Sequence, residues 1–371
     1  MLKKIMKIRK NIFGQSVSFH TDNSRIFNAF DSVLALYPDS VNEEYVNIEI
    51  NIDNCIKTEN LLHNNPKDHF TYSDGFGIDY GEFFIYHQIN KKINIKCFLK
   101  EFNFLKQFRS IGFSNLEESL SLIIHEFILL PIMNFIPQYA PLHVSAFMNN
   151  SNGDLLLFGG TGGVGKTSLE LLFCGELNYS FVADDMVVVN TNSEVYPNLS
   201  YPKIYAYNLE SNKSMTNTIL KGRGLIDIAH WYIRKKVKGL SAVRRSVAVD
   251  KLYDEFEVDK VKATKYFFLF RTNTVSDIKV ERVSKDVAIS NSIRILKNEF
   301  YSTFYRKIDL YEYNCNLGKS TSSLVSMLNI ENNLNQVFNQ FFNEVDSFII
   351  KIPLKMEEKD FLTFFTNEFS L

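Results

Sequence analysis

Gly160-Thr161-Gly162-Gly163-Val164-Gly165-Lys166-Thr167 satisfies G-x-x-x-x-G-K-[ST] without a mismatch, so the first chemistry that this sequence suggests is the holding of a nucleotide's phosphates. Glycines at 160, 162, 163 and 165 lack the Cβ that would block an anion, and they allow positive φ, so consecutive N–H groups can turn inward. A helix N-terminus behind them adds its own amides. Lys166 is suited to reach the β and γ phosphates as a point charge, the Thr167 hydroxyl is suited to ligate magnesium, and Ser168 closes the candidate cradle. Farther on, Asp184 and Asp185 are adjacent carboxylates inside the apolar run Phe181 to Val189. One can help hold a metal while the other accepts a proton. Neighbouring strand residues point to opposite faces, so both serve one site only where the backbone bends at a strand end. A glycine-rich hairpin and a solvated strand terminus are the competing readings of the two stretches.

The surrounding elements fit the chemical reading. Leu155 to Phe158 predicts a buried strand leading into the loop, and Leu169, Leu172 and Phe173 recur at helical spacing behind it. Pro141 to Phe147 is strand-like and Asn149 to Asp154 is a turn, which together make a hairpin feeding the loop. His143 in that hairpin is a candidate neighbour of the phosphates, although a lone histidine in a strand is commonly a core residue. Upstream, Ile12 to Phe19 and Val46 to Ile52 alternate like strands, with a helix predicted over Arg25 to Leu36. Three more strands are expected at Ile78 to Tyr80, Glu82 to Tyr86 and Ile93 to Leu99. Ser114 to Glu117 has capping-box spelling before a periodic helix that should stop at Pro131. Downstream, Lys265 to Phe270 and Phe348 to Leu354 predict strands, and Leu334 to Val345 and Glu357 to Phe369 predict helices.

Composition narrows the classes. A chain of 371 residues, 45% hydrophobic and 14% aromatic, can bury a large core and is expected to form two domains, 1–138 and 139–371. Forty-one basic against 42 acidic residues leave no global field that would favour nucleic acid or an anionic membrane. Glu117, Glu118, His125 and Glu126 break up the most apolar helix before it reaches spanning length. No apolar h-region follows the basic start, so no signal peptide is expected. Cys55, Cys97, Cys174 and Cys315 have neither metal-ligand spacing nor secreted-scaffold density, and they fit a reducing cytoplasm.

Leu142-His143, the Gly160 to Thr167 loop and Val182-Ala183-Asp184-Asp185 together resemble the catalytic domain of HPr kinase/phosphorylase and its relatives, the HPr-kinase-like serine kinases. These are akin in structure to ATP-dependent phosphoenolpyruvate carboxykinase. Arg223-Gly224-Leu225-Ile226-Asp227-Ile228 is similar to a further family segment, Arg-Gly-Leu-Gly-Ile-Ile-Asp, with one residue missing. The resemblance covers roughly residues 139 to 310. It implies an α/β fold with a mixed central sheet, preceded here by a smaller α+β domain. It implies ATP and Mg2+, with Lys166 and Thr167 on phosphate and metal, His143 near the transferred phosphate and Arg223 at the active site. One of Asp184 and Asp185 would help hold the metal and the other would take the proton of the attacking hydroxyl. Asp184 is the favoured base and Asp185 the favoured metal ligand.

Two departures qualify this. The family has a glutamate two residues before the arginine, where this chain has Lys221, and the N-terminal region does not match the regulatory domain of HPr kinase. The expected function is therefore transfer of the γ-phosphoryl group of ATP to a serine on some other peptide or protein. Family habit allows a homo-oligomer. The alternative is a nucleotide-binding regulatory module with little or no transfer, and Lys221 is its best support. The basic stretch Arg234 to Arg245 reads either as a mobile lid over phosphates or as a solvated surface.

Overall fold

The computed structural model describes residues 5–53, 60–65, 68–100, 108–210, 213–318 and 323–369, so Cys55 lies outside the described residues. The chain is mixed α/β, as its sequence predicts. Its first sheet has eight strands: β1 (Met6–Ile12), β2 (Gln15–Thr21), β3 (Val46–Ile52), β4 (Leu61–Asn65), β5 (His69–Tyr72), β6 (Gly75–Asp79), β7 (Phe83–Ile89) and β8 (Ile93–Leu99). Their spatial order is β1-β2-β3-β8-β7-β6-β5-β4, parallel at β2/β3 and β3/β8 and antiparallel elsewhere. The expected single strand over 12–19 is instead a hairpin, because Phe13 and Gly14 take positive φ and reverse the chain. Helix α1 (Ser24–Val33) packs its buried Ile26, Ala29, Phe30 and Val33 on this sheet, and the Asn23 side chain caps it.

The helix expected to end at Pro131 runs through it. Leu116–Leu122 starts from a capping box of Asn115 and Glu118, Ile123–Leu129 is π-helical, and Leu130–Met133 follows with Pro131 in its first turn. The π register changes the carbonyl pairing around the proline, whose missing N–H then costs little.

The second sheet carries the phosphate loop. Its strands are β9 (Tyr139–Leu142), β10 (Val144–Asn149), β11 (Leu155–Gly159), β12 (Tyr179–Ala183), β13 (Val187–Asn190), β14 (Glu194–Tyr196), β17 (Val261–Thr272), β18 (Lys279–Arg282) and β19 (Asp346–Pro353). Strand β11 runs parallel to β17, β17 parallel to β19, and β10 lies antiparallel between β11 and β12. Strands β15 (Lys203–Tyr205) and β16 (Arg244–Ser246) form a separate small pair. One apolar core runs from Phe19 and Ile85 of the first sheet to Phe341 and Val345 beside the second. The helix Arg306–Gly318 contributes to the join, since Lys307 pairs with Asp68 and the Asn314 side-chain amide donates to Thr71 Oγ1 at 3.0 Å. No helix among the described residues is long and apolar enough to cross a membrane.

Candidate functional site

Strand register assembles the candidate residues. Val144 pairs with Gly159 and Ala146 with Ala183. His143 just before β10, the loop leaving β11 and Asp184 leaving β12 therefore emerge at one end of three adjacent strands. The expected single strand over 181–189 is two, because the chain bends at Asp184 and Asp185 before β13, which pairs elsewhere in the sheet with β9 and β14. That bend lets both carboxylates face the same site.

Within the loop, Gly160, Gly163 and Gly165 have φ of 145°, 80° and 116°, as the glycine spelling predicts, whereas Gly162 is not among the positive-φ glycines. Open space stands where a Cβ at Gly162 or Gly163 would project, and at Gly165 a Cβ would come within 2.9 Å of the Phe361 ring. Gly159 is required for a different reason, since a Cβ there would collide with the Tyr266 hydroxyl. The helix Lys166–Gly175 begins directly at the loop, with Gly165 as its left-handed N-cap and no side-chain cap on its first amides. Such amides are an anion site in waiting.

Lys166 is buried; its Nζ donates to the Gly160 carbonyl at 2.9 Å and lies 3.8 Å from Asp185 Oδ1. Thr167 Oγ1 donates to Asp184 Oδ1 at 3.3 Å, and the Lys203 backbone N–H donates to Asp184 Oδ2 at 3.1 Å. His143 is buried, with Nε2 3.1 Å from Asp185 Oδ1 and Nδ1 without a partner among the described residues. The carboxylate fixes the tautomer, so Nε2 carries the hydrogen and donates it. Burial alone would raise the Asp185 pKa, but His143, Lys166 and Lys203 outweigh it and hold that carboxyl well below the usual carboxylate range. Half of the Asp185 side chain is nevertheless open to solvent, whereas Asp184 is buried.

The site includes groups that the motifs did not announce. Glu170, one turn beyond Lys166, is fully buried and accepts from the Tyr253 hydroxyl at 2.6 Å. Burial, reinforced by Asp184, raises its pKa well above normal. An acid at that position of an otherwise apolar helix was the available signal. Lys203, flagged only by its place after Tyr201-Pro202, pairs with Glu126; burial would lower its pKa, but Glu126 and Asp185 keep it raised. Ser168 donates to Glu358 at 2.8 Å and accepts from Asn208 at 3.2 Å, so it ties the C-terminal helix Glu358–Phe369 to the loop. Arg271, near the end of β17, lies over the Phe361 ring at 5.5 Å and leaves its Nε without a partner among the described residues. Nothing in the sequence around Arg271 marks it, because its position follows from sheet order alone.

Arg223 is differently placed. Its Nε donates to the Ile219 carbonyl at 2.8 Å, Nη1 to Asp227 at 2.8 Å, and Nη2 to the Ser246 carbonyl and Glu118, both at 2.8 Å. Asp227 also receives Arg245, which is fully buried. Within the basic stretch, Arg234 donates to the Ala242 and Arg109 carbonyls and Arg244 to the Tyr205 hydroxyl. Its three arginine members are thus structural ties, while Lys235, Lys236 and Lys238 are solvated.

A magnesium nucleotide fits what is present. Open space at Gly162 and Gly163, uncapped helix amides, a buried lysine, and a hydroxyl paired with a carboxylate are the donor set for a phosphate-bound hard cation, which needs only one or two protein carboxylates. No protein-family model matches the chain, and no curated protein sequence matches it.

Proposed function

We propose that this chain is a phosphotransferase of the HPr-kinase-like serine kinase type, moving the γ-phosphoryl group of ATP to a serine hydroxyl on a peptide or protein. The observation that carries this reading is the convergence of Lys166, Thr167, Asp184, Asp185 and His143 at the ends of adjacent strands. Loop amides and Lys166 would bind the phosphates and stabilise charge that spreads over the transferred group. Mg2+, held by the Thr167 hydroxyl and a carboxylate, supplies charge neutralisation and orientation when bound.

The geometry favours exchanging the roles that the sequence suggests for the two aspartates. Asp184 is buried and bonded to Thr167, the metal-side hydroxyl, which suits it to the metal. Asp185 is half open to solvent and bonded to His143, which suits it to meet an acceptor hydroxyl. Its lowered pKa keeps it ionised at neutral pH but makes it a weak base, so its main task is to orient the acceptor hydroxyl. It takes the proton only as the bond to phosphorus forms, and the His143 Nε2–H holds it in place. Arg223, with its guanidinium committed elsewhere, is assigned no phosphate contact.

Mass spectrometry of serine-containing peptides incubated with the protein and Mg-ATP tests both points. A product heavier by one phosphoryl group is expected. Asp185→Asn should lower transfer by about 10²–10⁴-fold with ATP affinity kept, whereas Asp184→Asn should weaken the Mg2+ dependence of ATP binding. If Asp185→Asn transfers at the parent rate, the exchange of roles is wrong; ATP binding without any product would favour the regulatory module.

A further inference from the structure

The helix Leu225–Lys238 is built inside out. Its buried residues are Asp227, His230 and Trp231, whereas Leu225, Ile226, Tyr232, Ile233 and Val237 are 86%, 53%, 56%, 54% and 67% exposed. At about 100° per residue, those five share an arc of roughly 140° on the outward side. Burying Asp227 towards the protein makes sense, because Arg223 and Arg245 need it. An apolar stripe facing water on the other side has no such local reason. Beside the stripe lies a groove of about 440 Å³ lined by Leu220, Lys221, Ile228 and Tyr232 among others. Lys221, Lys235, Lys236 and Lys238 are exposed around it, and the helix's one acid is already neutralised. On the same wheel Lys236 falls within the apolar arc and Lys235 and Lys238 fall outside it, so the exposed face mixes apolar side chains with uncompensated lysines.

This helix is also tied to the candidate site. Asp227 accepts from Arg245 at 2.6 Å, Arg245 sits on β16, β16 pairs with β15, and Lys203 of β15 donates its N–H to Asp184. We propose that the outward face of Leu225–Lys238 docks an acidic, amphipathic peptide segment, whose apolar residues enter the stripe and groove while its carboxylates meet the exposed lysines within and beside the stripe. That this segment belongs to the phosphoryl acceptor rests on the function proposed above; the docking itself does not. A grooved face fits side chains of a folded segment better than it fits a flat lipid surface.

The test uses the full-length protein and a fluorescein-labelled peptide as long as the helix, 14 residues, with Leu and Phe at helical spacing and Glu elsewhere. Its Lys-for-Glu counterpart and phosphatidylserine vesicles serve as alternative ligands. The acidic peptide should bind, and Ile233→Asp or the pair Lys235→Glu and Lys236→Glu should each weaken it by about tenfold or more. These residues are exposed, so thermal unfolding and Mg-ATP affinity should be unchanged. Equal binding of acidic and basic peptides, or binding indifferent to the substitutions, overturns the proposal. So does preference for the vesicles, or a concentration-dependent dimer that Ile233→Asp dissolves while no peptide binds. Peptide binding without ATP binding would sink the phosphotransferase reading and leave the docking face standing; ATP binding without peptide binding would do the reverse.

Discussion

Two charged clusters, one around Arg223 and one around Lys166, use the same residue types to opposite ends. In the first, every guanidinium nitrogen of Arg223 has a partner at 2.8 Å, and the Arg245 guanidinium is enclosed by Asp227, His230 and the Arg244 carbonyl at 3.0 Å or less. Burial raises the Glu118 pKa against the pull of Arg223, which describes an acid held for structure. In the second cluster the bonds are sparse. Lys166 Nζ has one carbonyl and a carboxylate 3.8 Å off, the Thr167 hydroxyl spans 3.3 Å, and His143 Nδ1 has no partner among the described residues. Saturated charge braces a fold, whereas unsaturated charge is capacity for a ligand.

Exchanging a residue in each cluster should break them differently. Lys166→Ala is expected to reduce phosphoryl transfer by about 10³-fold or more, since a charge aimed at the transferred group is lost. Its melting temperature should stay near that of the parent, and a differential scanning measurement checks this. Asp227→Asn should act the other way. It leaves the fully buried Arg245 without its carboxylate and Arg223 with Glu118 alone, which costs about 3–5 kcal/mol of stability. Activity per folded molecule at low temperature should persist. A destabilised Lys166→Ala or a fully stable Asp227→Asn would dissolve the contrast.

Much of the second cluster was legible in the sequence and little of the first. The phosphate loop is a local string whose glycines mean a definite backbone, and the Asp184-Asp185 pair announces itself by placing charge inside an apolar run. The α/β class followed from alternating strand and helix periods. Arg223 shows the limit: the same guanidinium serves phosphate or a carboxylate, and Glu118, which helps occupy it, lies more than a hundred residues earlier in the chain. The hairpin at Phe13-Gly14 was hidden because alternation continues across a tight turn, and the helix through Pro131 because a π register obeys no simple period. Tyr253 and Glu358 meet the helix behind the loop, and Arg271 meets the Phe361 ring beside it, only through sheet order and helix packing, which no short window contains.

The eight-stranded sheet and its neighbours sharpen the contrast further, because they bury titratable groups with no countercharge and keep them neutral. His87 is stacked on Phe76 with neither ring nitrogen partnered among the described residues, and burial lowers its pKa to about 3. Burial likewise takes His69 and His125 to about 4, with Lys307 assisting at His69. The unfolded chain protonates each near pH 6.5. Between about pH 4 and 6.5 it therefore binds more protons than the folded chain, so stability must fall as pH falls through that window. Three such groups set a limiting slope of about 4 kcal/mol per pH unit, and urea unfolding at a series of pH values would measure it. His87→Leu should remove about one proton's share, roughly 1.4 kcal/mol per unit, and should raise stability at pH 7, because an unpartnered buried ring is replaced by a hydrocarbon. Transfer activity should change less than about twofold, a bound set by the expectation for a site without contact to the reacting groups. An unchanged slope would mean that His87 takes up its proton in the folded chain, and the neutral interior assigned to this sheet would then be wrong.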